Sequence, residues 1–307
     1  MTHPHKKLLS SALLLILLAL AIKYLIDNIH DFRQISLVNI YLLIPITIIF
    51  IVSYILIGLS NVYLLKPLKL NLGFLEGFQL AIVNGFYNLI TPFRGGLAAR
   101  AVYLKQKYKF SYTNFLATIA ASYLIFFLIA SFVGIVSMYF IYNTTKAFSV
   151  IIFLIFLFFF IPLIVIVLFS PTFPETRYNF INRFIRVMNG WNLIKNSKKT
   201  IFVLSLISLI QLLLGALGTY LSFMVFGFEI SYVSSLFLAS IGSLGILLAL
   251  TPAGLGITEA ITIFSALTIG IGAAQSLPVA LLGRAVSLVV LFILGPIFSY
   301  KLLRNTE

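Results

Sequence analysis

Charged side chains are scarce in this 307-residue sequence, and five of them fall within apolar surroundings: Glu76, Arg94, Arg100, Glu259 and Arg284. An ion removed from water is costly unless it is paired or bound, so each is a candidate for function. Glu259 follows Pro252 by seven residues, and Arg284 lies deep in the run LPVALLGRAVSLVVLFILGP, too far from either end to snorkel easily. An ion pair between them is the economical expectation. Such a pair either pins two segments together or opens to admit a charged ligand. Arg94 and Arg100 flank Gly95 and Gly96 just after Thr91-Pro92. Two guanidinium forks beside the free amides and the dipole of a helix start make phosphate chemistry, unless they are merely basic residues flanking a span.

Two stretches must position these groups. Residues 88–110, NLITPFRGGLAARAVYLKQKYKF, are echoed at 248–272, LALTPAGLGITEAITIFSALTIGIG. Each has an apolar approach, Thr-Pro, a glycine-rich break and a further helical run. Thr91-Pro92 and Thr251-Pro252 read as helix starts, with threonine as N-cap and proline in the first helical position. Gly95, Gly96, Gly254 and Gly256 supply backbone freedom beside those starts. With one gap allowed, Ser122-Tyr123 stands about where Arg284 stands after its own Thr-Pro. The echo points to an internal repeat with the working site between its copies.

The composition places these elements in a membrane. The chain is 61% hydrophobic and 9% charged, against the roughly 25% charged residues of a soluble domain. Runs of about 20 apolar residues mark helical spans, and the alternating segments of an outer-membrane barrel are missing. The net charge of +14 would raise nucleic acid as a partner in a soluble protein. Here the basic residues cluster in short connections beside spans, where they set orientation and meet anionic lipid, so nucleic acid is not expected. Without cysteine there is no disulfide, thiolate ligand or cysteine nucleophile.

Candidate spans are 8–26, 39–64, 113–141, 147–170, 200–226 and 277–300, the first read as a retained span rather than a cleaved signal. The regions 72–104 and 232–271 are interrupted by the Thr-Pro-Gly breaks. Irregular backbone cannot face lipid, so each break must be buried or line a wet cavity. Lys6, Lys7, Lys66, Lys69, Lys105, Lys107, Lys109, the basic group 177–199, Lys301 and Arg304 alternate with connections poor in positive charge at 27–37, 142–146 and 227–231. The positive-inside rule then puts both termini in the cytoplasm of a plasma-membrane protein. The expected fold is all-α: one integral membrane domain over 1–307 with about six full spans and two re-entrant helical hairpins, about 70–110 and 230–274. These form an inverted-topology repeat, about 39–141 and 200–300; eight to ten ordinary spans are the alternative. Residues 176–199 read as a cytoplasmic amphipathic helix in the headgroup region, with Phe180, Phe184, Met188 and Trp191 at helical spacing. The alternative is a linker whose aromatics pack on the bundle.

Catalytic constellations are missing. His3, His5 and His30 all fall outside hydrophobic segments, seven acidic residues serve the whole chain, and no zinc-protease, serine-hydrolase or nucleotide-loop motif occurs. No metal or organic cofactor is expected.

The motifs TPFRGGLAARAVYL, TPAGLGITEA and LPVALLGRAVSLVV resemble the transmembrane region of lysylphosphatidylglycerol synthases and the related short flippase-like proteins of the UPF0104 group. The likeness covers roughly residues 10–300. Its most specific part is Pro252, Gly254, Gly256 and Glu259, followed by Arg284. Leu97 departs from it, since the family's first motif commonly has glutamate there. The resemblance implies translocation of a lipid headgroup between leaflets, contacted by both broken motifs. The lipid would be an anionic or aminoacylated phospholipid or a polyprenyl-linked lipid, and the chain could form a homo-oligomer. No aminoacyl-transfer domain is present in these residues, so no synthase activity is carried over. The alternative is a membrane enzyme or accessory subunit in lipid-linked glycan or envelope synthesis, with Glu259 as a base.

Overall fold

A computed structural model describes residues 36–169, 172–174, 176–177, 182, 185, 191–192, 194–248, 251 and 254–304. The expected first span, 8–26, lies outside them, as does most of 176–199. The chain divides at Val38/Asn39 into two units, and the account below concerns the second. In chain order its helices are α1 (Leu43–Leu65), α2 (Phe74–Ile90), α3 (Gly95–Tyr108), α4 (Tyr112–Thr145), α5 (Val150–Phe169), α6 (Lys198–Val225), α7 (Tyr232–Gly245), α8 (Ile257–Leu267) and α9 (Ala273–Arg304). No strand occurs among the described residues.

Five of these segments are long and apolar enough to cross a membrane: Ile40–Leu68, Tyr112–Thr145, Val150–Phe169, Lys198–Val225 and Ala273–Arg304. The remaining four helices have 17, 14, 14 and 11 residues, short of the roughly 20 a crossing needs. They form two helical hairpins, α2 against α3 and α7 against α8. Their lengths count against the alternative of eight to ten ordinary spans.

The hairpins open at opposite ends of the bundle. Leu65, Leu72, Leu104, Phe110 and Leu302 share one core cluster, so the end of α1, both outer ends of the first hairpin, the start of α4 and the end of α9 meet there. Lys66, Lys69, Lys107, Lys109 and Lys301 belong to that end. At the other end the Asn39 amide donates to the Val225 carbonyl (3.0 Å), and Met138, Ile141, Ile152, Phe223, Phe237 and Ala266 pack together. The outer ends of α7 and α8 belong to this second end.

The packing is also symmetric under exchange of α1 with α6, α2 with α7, α3 with α8 and α4 with α9. The contact of α2 with α1 and α9 is matched by that of α7 with α6 and α4. Helix α5 stands outside the exchange. It is the most apolar of the five membrane-length segments and packs chiefly on α4, half of whose span is buried. Thus α4 is a central helix, and α5 faces outward.

Small residues set the closest approaches, as expected where helices pack without a hydrophobic drive between them. A Cβ on Gly58 would lie 2.6 Å from the Phe78 Cα, and one on Gly77 would lie 2.7 Å from the Gly58 carbonyl oxygen. Helices α4 and α7 start on serine N-caps: Ser111 accepts the Asn114 amide (3.2 Å) and Ser231 the Ser234 amide (3.0 Å). In the linker, Trp191 is buried with Ile194 against Leu64, Ala121 and Leu204. Its expected companions Phe180, Phe184 and Met188 lie outside the described residues.

Glu76, expected at membrane depth, instead closes the open end of the first hairpin. Its Oε1 accepts from the Tyr103 hydroxyl (2.5 Å) and the Lys107 ammonium (3.0 Å), and its Oε2 from the Tyr108 hydroxyl (2.7 Å). The correction has a simple cause: the turn at 91–94 sets the hairpin register, and that register is invisible in a linear reading. Burial alone would raise the carboxyl, but the three hydrogen bonds and the Lys107 charge outweigh it and hold it below the usual range. A carboxyl lowered on folding stabilises fully above its unfolded pKa and loses that contribution as pH falls through the folded value. Detergent-solubilised protein should therefore lose thermal stability on acidification below about pH 4.3, and Glu76→Gln should flatten part of that loss. Identical pH profiles of the melting temperature would contradict this role.

Candidate functional site

The break in the first hairpin is strained. Thr91 is extended, and Phe93 and Arg94 have φ of 54° and 58°, a region that residues other than glycine seldom occupy. Gly95, by contrast, has ordinary helical angles. Gly96 is needed for approach rather than freedom: a Cβ there would lie 1.9 Å from the Asn84 carbonyl oxygen. The Gly96 amide instead donates to Asn88 Oδ1 (3.0 Å), which ties α3 back to α2. Thr91 does not cap the following helix either. Its hydroxyl donates backward to the Tyr87 carbonyl at 2.5 Å, the same oxygen that accepts the Thr91 amide (3.0 Å), so both donors of Thr91 close the preceding helix. Pro92 does open the short 3-10 turn Pro92–Arg94 as its first residue.

This backbone turns Arg94 toward α4, where its Nη1 donates to the Tyr123 hydroxyl (2.5 Å). Arg100, one turn into α3, is 6% exposed. Its guanidinium lies 5.1 Å from the centre of the Phe115 ring, with no hydrogen bond and no carboxylate among the described residues. Both arginines line a cavity of about 290 Å³. Its walls come from α1, α2, α3, α4 and α6 and from Ile246 after α7, so both halves of the packing scheme contribute. Leu97 sits in the wall beside the two arginines, and Asn61, Asn84, Ser122, Tyr123 and Gln211 add polar surface. Asn61 Nδ2 and Asn84 Oδ1 are buried without a hydrogen-bond partner. Sequence reasoning missed Asn61, Asn84 and Gln211. Their signal was available: a carboxamide inside an apolar run is costly unless something binds it.

The second break is resolved differently. Gly254 and Gly256 have φ of 65° and 82°, so here the glycines supply the expected backbone freedom. Pro252 lies outside the described residues. The Thr251 hydroxyl again donates rather than caps, to the Leu255 carbonyl (2.9 Å). The Glu259 side chain performs the capping: its Oε2 accepts the Gly256 amide (2.8 Å) and the Thr258 hydroxyl (3.1 Å). Its Oε1 accepts from Arg284 Nε at 2.7 Å, and Arg284 Nη2 also reaches the Thr258 hydroxyl (3.0 Å). Glu259 and Arg284 are therefore joined, with side chains 12% and 15% exposed. All of the carboxylate's capacity is directed at the hairpin break and the neighbouring α9.

In both halves a polar bond runs from the broken hairpin to the long helix that follows it, Arg94 to Tyr123 and Glu259 to Arg284. The structure does not gather all four groups into one place: the arginine-lined cavity does not include Glu259 or Arg284. A second cavity, of about 280 Å³, has Thr262 and Gly283 from the paired helices in its wall and shares Ser53 with the first. No group of histidine, cysteine and acidic residues suited to a metal occurs among the described residues.

Comparison with known proteins locates this architecture. No curated protein and no solved structure matches the chain. The family model described as "Lysylphosphatidylglycerol synthase TM region" matches residues 7–295, a range that takes in both hairpin breaks and the Glu259–Arg284 pair. The five membrane-length helices agree with that assignment, and the chain belongs to the lysylphosphatidylglycerol synthase transmembrane-region family of multi-pass membrane proteins.

Proposed function

We propose that the chain moves the polar headgroup of a membrane lipid between leaflets while the acyl tails stay in the bilayer. One observation carries this reading: a polar, arginine-lined cavity at a hairpin break, inside a bundle of apolar helices and walled by both halves. The two hairpins are re-entrant and enter from opposite faces, and the halves, about 39–141 and 200–300, are inverted repeats. Their opposite openings and exchangeable packing support this. Thr91, Pro92, Arg94, Gly95, Gly96 and Arg100 form one headgroup contact; Thr251, Pro252, Gly254, Gly256, Glu259 and Arg284 form the other. The substrate is an anionic or aminoacylated phospholipid or a polyprenyl-linked lipid. The protein resides in the plasma membrane.

The basic end faces the cytoplasm, and both termini lie there. The chain has no native cysteine, so single-cysteine labelling tests this directly. In intact cells an impermeant reagent should modify Thr144→Cys and Glu229→Cys and spare Lys107→Cys. Labelling at position 107 would reverse the topology.

Transport is tested by reconstituting the purified protein in vesicles that carry a fluorescent acyl-labelled phospholipid and quenching the outer leaflet. The quenched fraction should rise above that of protein-free vesicles. Glu259→Gln and Arg284→Met each strand a buried charge and should destabilise the fold by about 3–5 kcal/mol. The double variant removes both charges and should recover folding. It should remain inactive, because the pair contacts the headgroup during passage. A folded and fully active double variant would reduce the pair to a structural staple and leave the arginine cavity as the sole headgroup site.

A further inference from the structure

We infer that the cavity selects a phosphate-bearing anion and rejects a headgroup with net positive charge, an inference that rests on the lipid-transport reading and narrows its substrate. Arg94 and Arg100 both line the cavity, and among the described residues its walls include no aspartate or glutamate. Arg94 is held by a neutral tyrosine hydroxyl. Arg100 has the face of Phe115 and the neighbouring Tyr123 but no carboxylate among the described residues, although 94% of the residue is removed from the surface. A guanidinium this buried without an anion is costly, and its five donors are built for phosphate oxygens.

The neighbouring polar groups fit the same ligand. Asn61 Nδ2 is a second buried donor without a partner, in the same wall. Asn84 Oδ1 is an unused acceptor that suits a hydroxyl next to the phosphate, as on a glycerol or sugar headgroup. The volume, about 290 Å³, suits a phosphate with a small polar substituent rather than a whole lipid. Leu97 decides the sign of the selectivity. A carboxylate at this position would face both arginines and neutralise the cavity; leucine leaves two uncompensated positive charges. A lysylated headgroup, whose two ammonium groups outnumber its single phosphate charge, gains nothing there and meets like charge.

The test uses the full-length protein in detergent. Binding is measured by titration calorimetry and by the shift in melting temperature. The probes are short-chain phosphatidylglycerol, its lysyl ester, short-chain phosphatidylcholine and inorganic phosphate. Phosphatidylglycerol should bind at least about tenfold more tightly than the lysyl ester. Arg100→Gln should weaken it by about tenfold or more. Leu97→Glu should abolish the ligand-dependent shift while raising the ligand-free melting temperature, because it supplies the missing anion. Leu97→Gln, similar in size but neutral, should weaken binding by at least about tenfold less than Leu97→Glu and so separates charge from packing.

Inorganic phosphate competing at the same concentration as the lipid would support the anion site and assign it to a free anion rather than a headgroup. The inference is overturned if the lysyl ester binds as tightly as its parent, or if Arg100→Gln and Leu97→Glu both leave affinity unchanged. Its failure differs from that of the transport reading. Leaflet transfer of a cationic lipid with no anion preference sinks the selectivity alone. Tight anion binding without leaflet transfer sinks the transport reading and leaves the site.

Discussion

Backbone amides and carbonyls freed by a broken helix cannot be left facing hydrocarbon. This chain breaks two apolar helical stretches, at 91–94 and between 248 and 257, and membrane-length helices pack against the hairpins that those breaks create. Helix α2 is pressed between α1 and α9, and α7 between α6 and α4, so each hairpin is flanked by membrane-length helices. The close contacts at Gly58 and Gly77 follow from that need, since a hairpin inserted among long helices must approach them backbone to backbone, while Gly96 brings the two helices of the first hairpin together. The long helices then supply the polar groups that meet each break.

The two breaks settle their electrostatics in opposite ways. At the second, Glu259 satisfies the Gly256 amide and the Arg284 guanidinium together, and the charges cancel within the protein. At the first, Arg94 and Arg100 face a cavity without a counter-ion among the described residues, beside two carboxamide atoms with no partner among them. A pair that closes on itself holds structure at rest and can contribute to function only by opening. An uncompensated pair of guanidiniums is a standing demand for an anion. The two halves thus share a packing scheme while differing in charge.

Much of this was legible in the residues. The five described spans follow from apolar runs, because the bilayer thickness sets their length directly. The Glu259–Arg284 contact follows from two opposite charges in apolar settings, each too costly alone. Ser122-Tyr123, aligned with Arg284 by position after Thr-Pro, turned out to contain the partner of Arg94. What could not be read was geometry that depends on hairpin register. Glu76 and Lys107 are 31 residues apart and meet only because of how the turn at 91–94 is built. Thr91 carries every local mark of an N-cap, yet its hydroxyl is drawn to a nearer carbonyl in the preceding turn. The cavity was hidden for the same reason: Asn61, Asn84 and Arg100 come from three different helices.

The central claim is that the first break opens onto a wet, positively charged interior and is not sealed by packing. Reactivity of a cysteine in the cavity wall tests it most directly, with Ser122→Cys introduced into the otherwise cysteine-free chain. In reconstituted vesicles, small charged thiosulfonate reagents should modify position 122, the anionic reagent faster than the cationic one. A cysteine at position 122 that stays unmodified while an exposed Thr144→Cys control reacts, or that prefers the cationic reagent, would contradict the account.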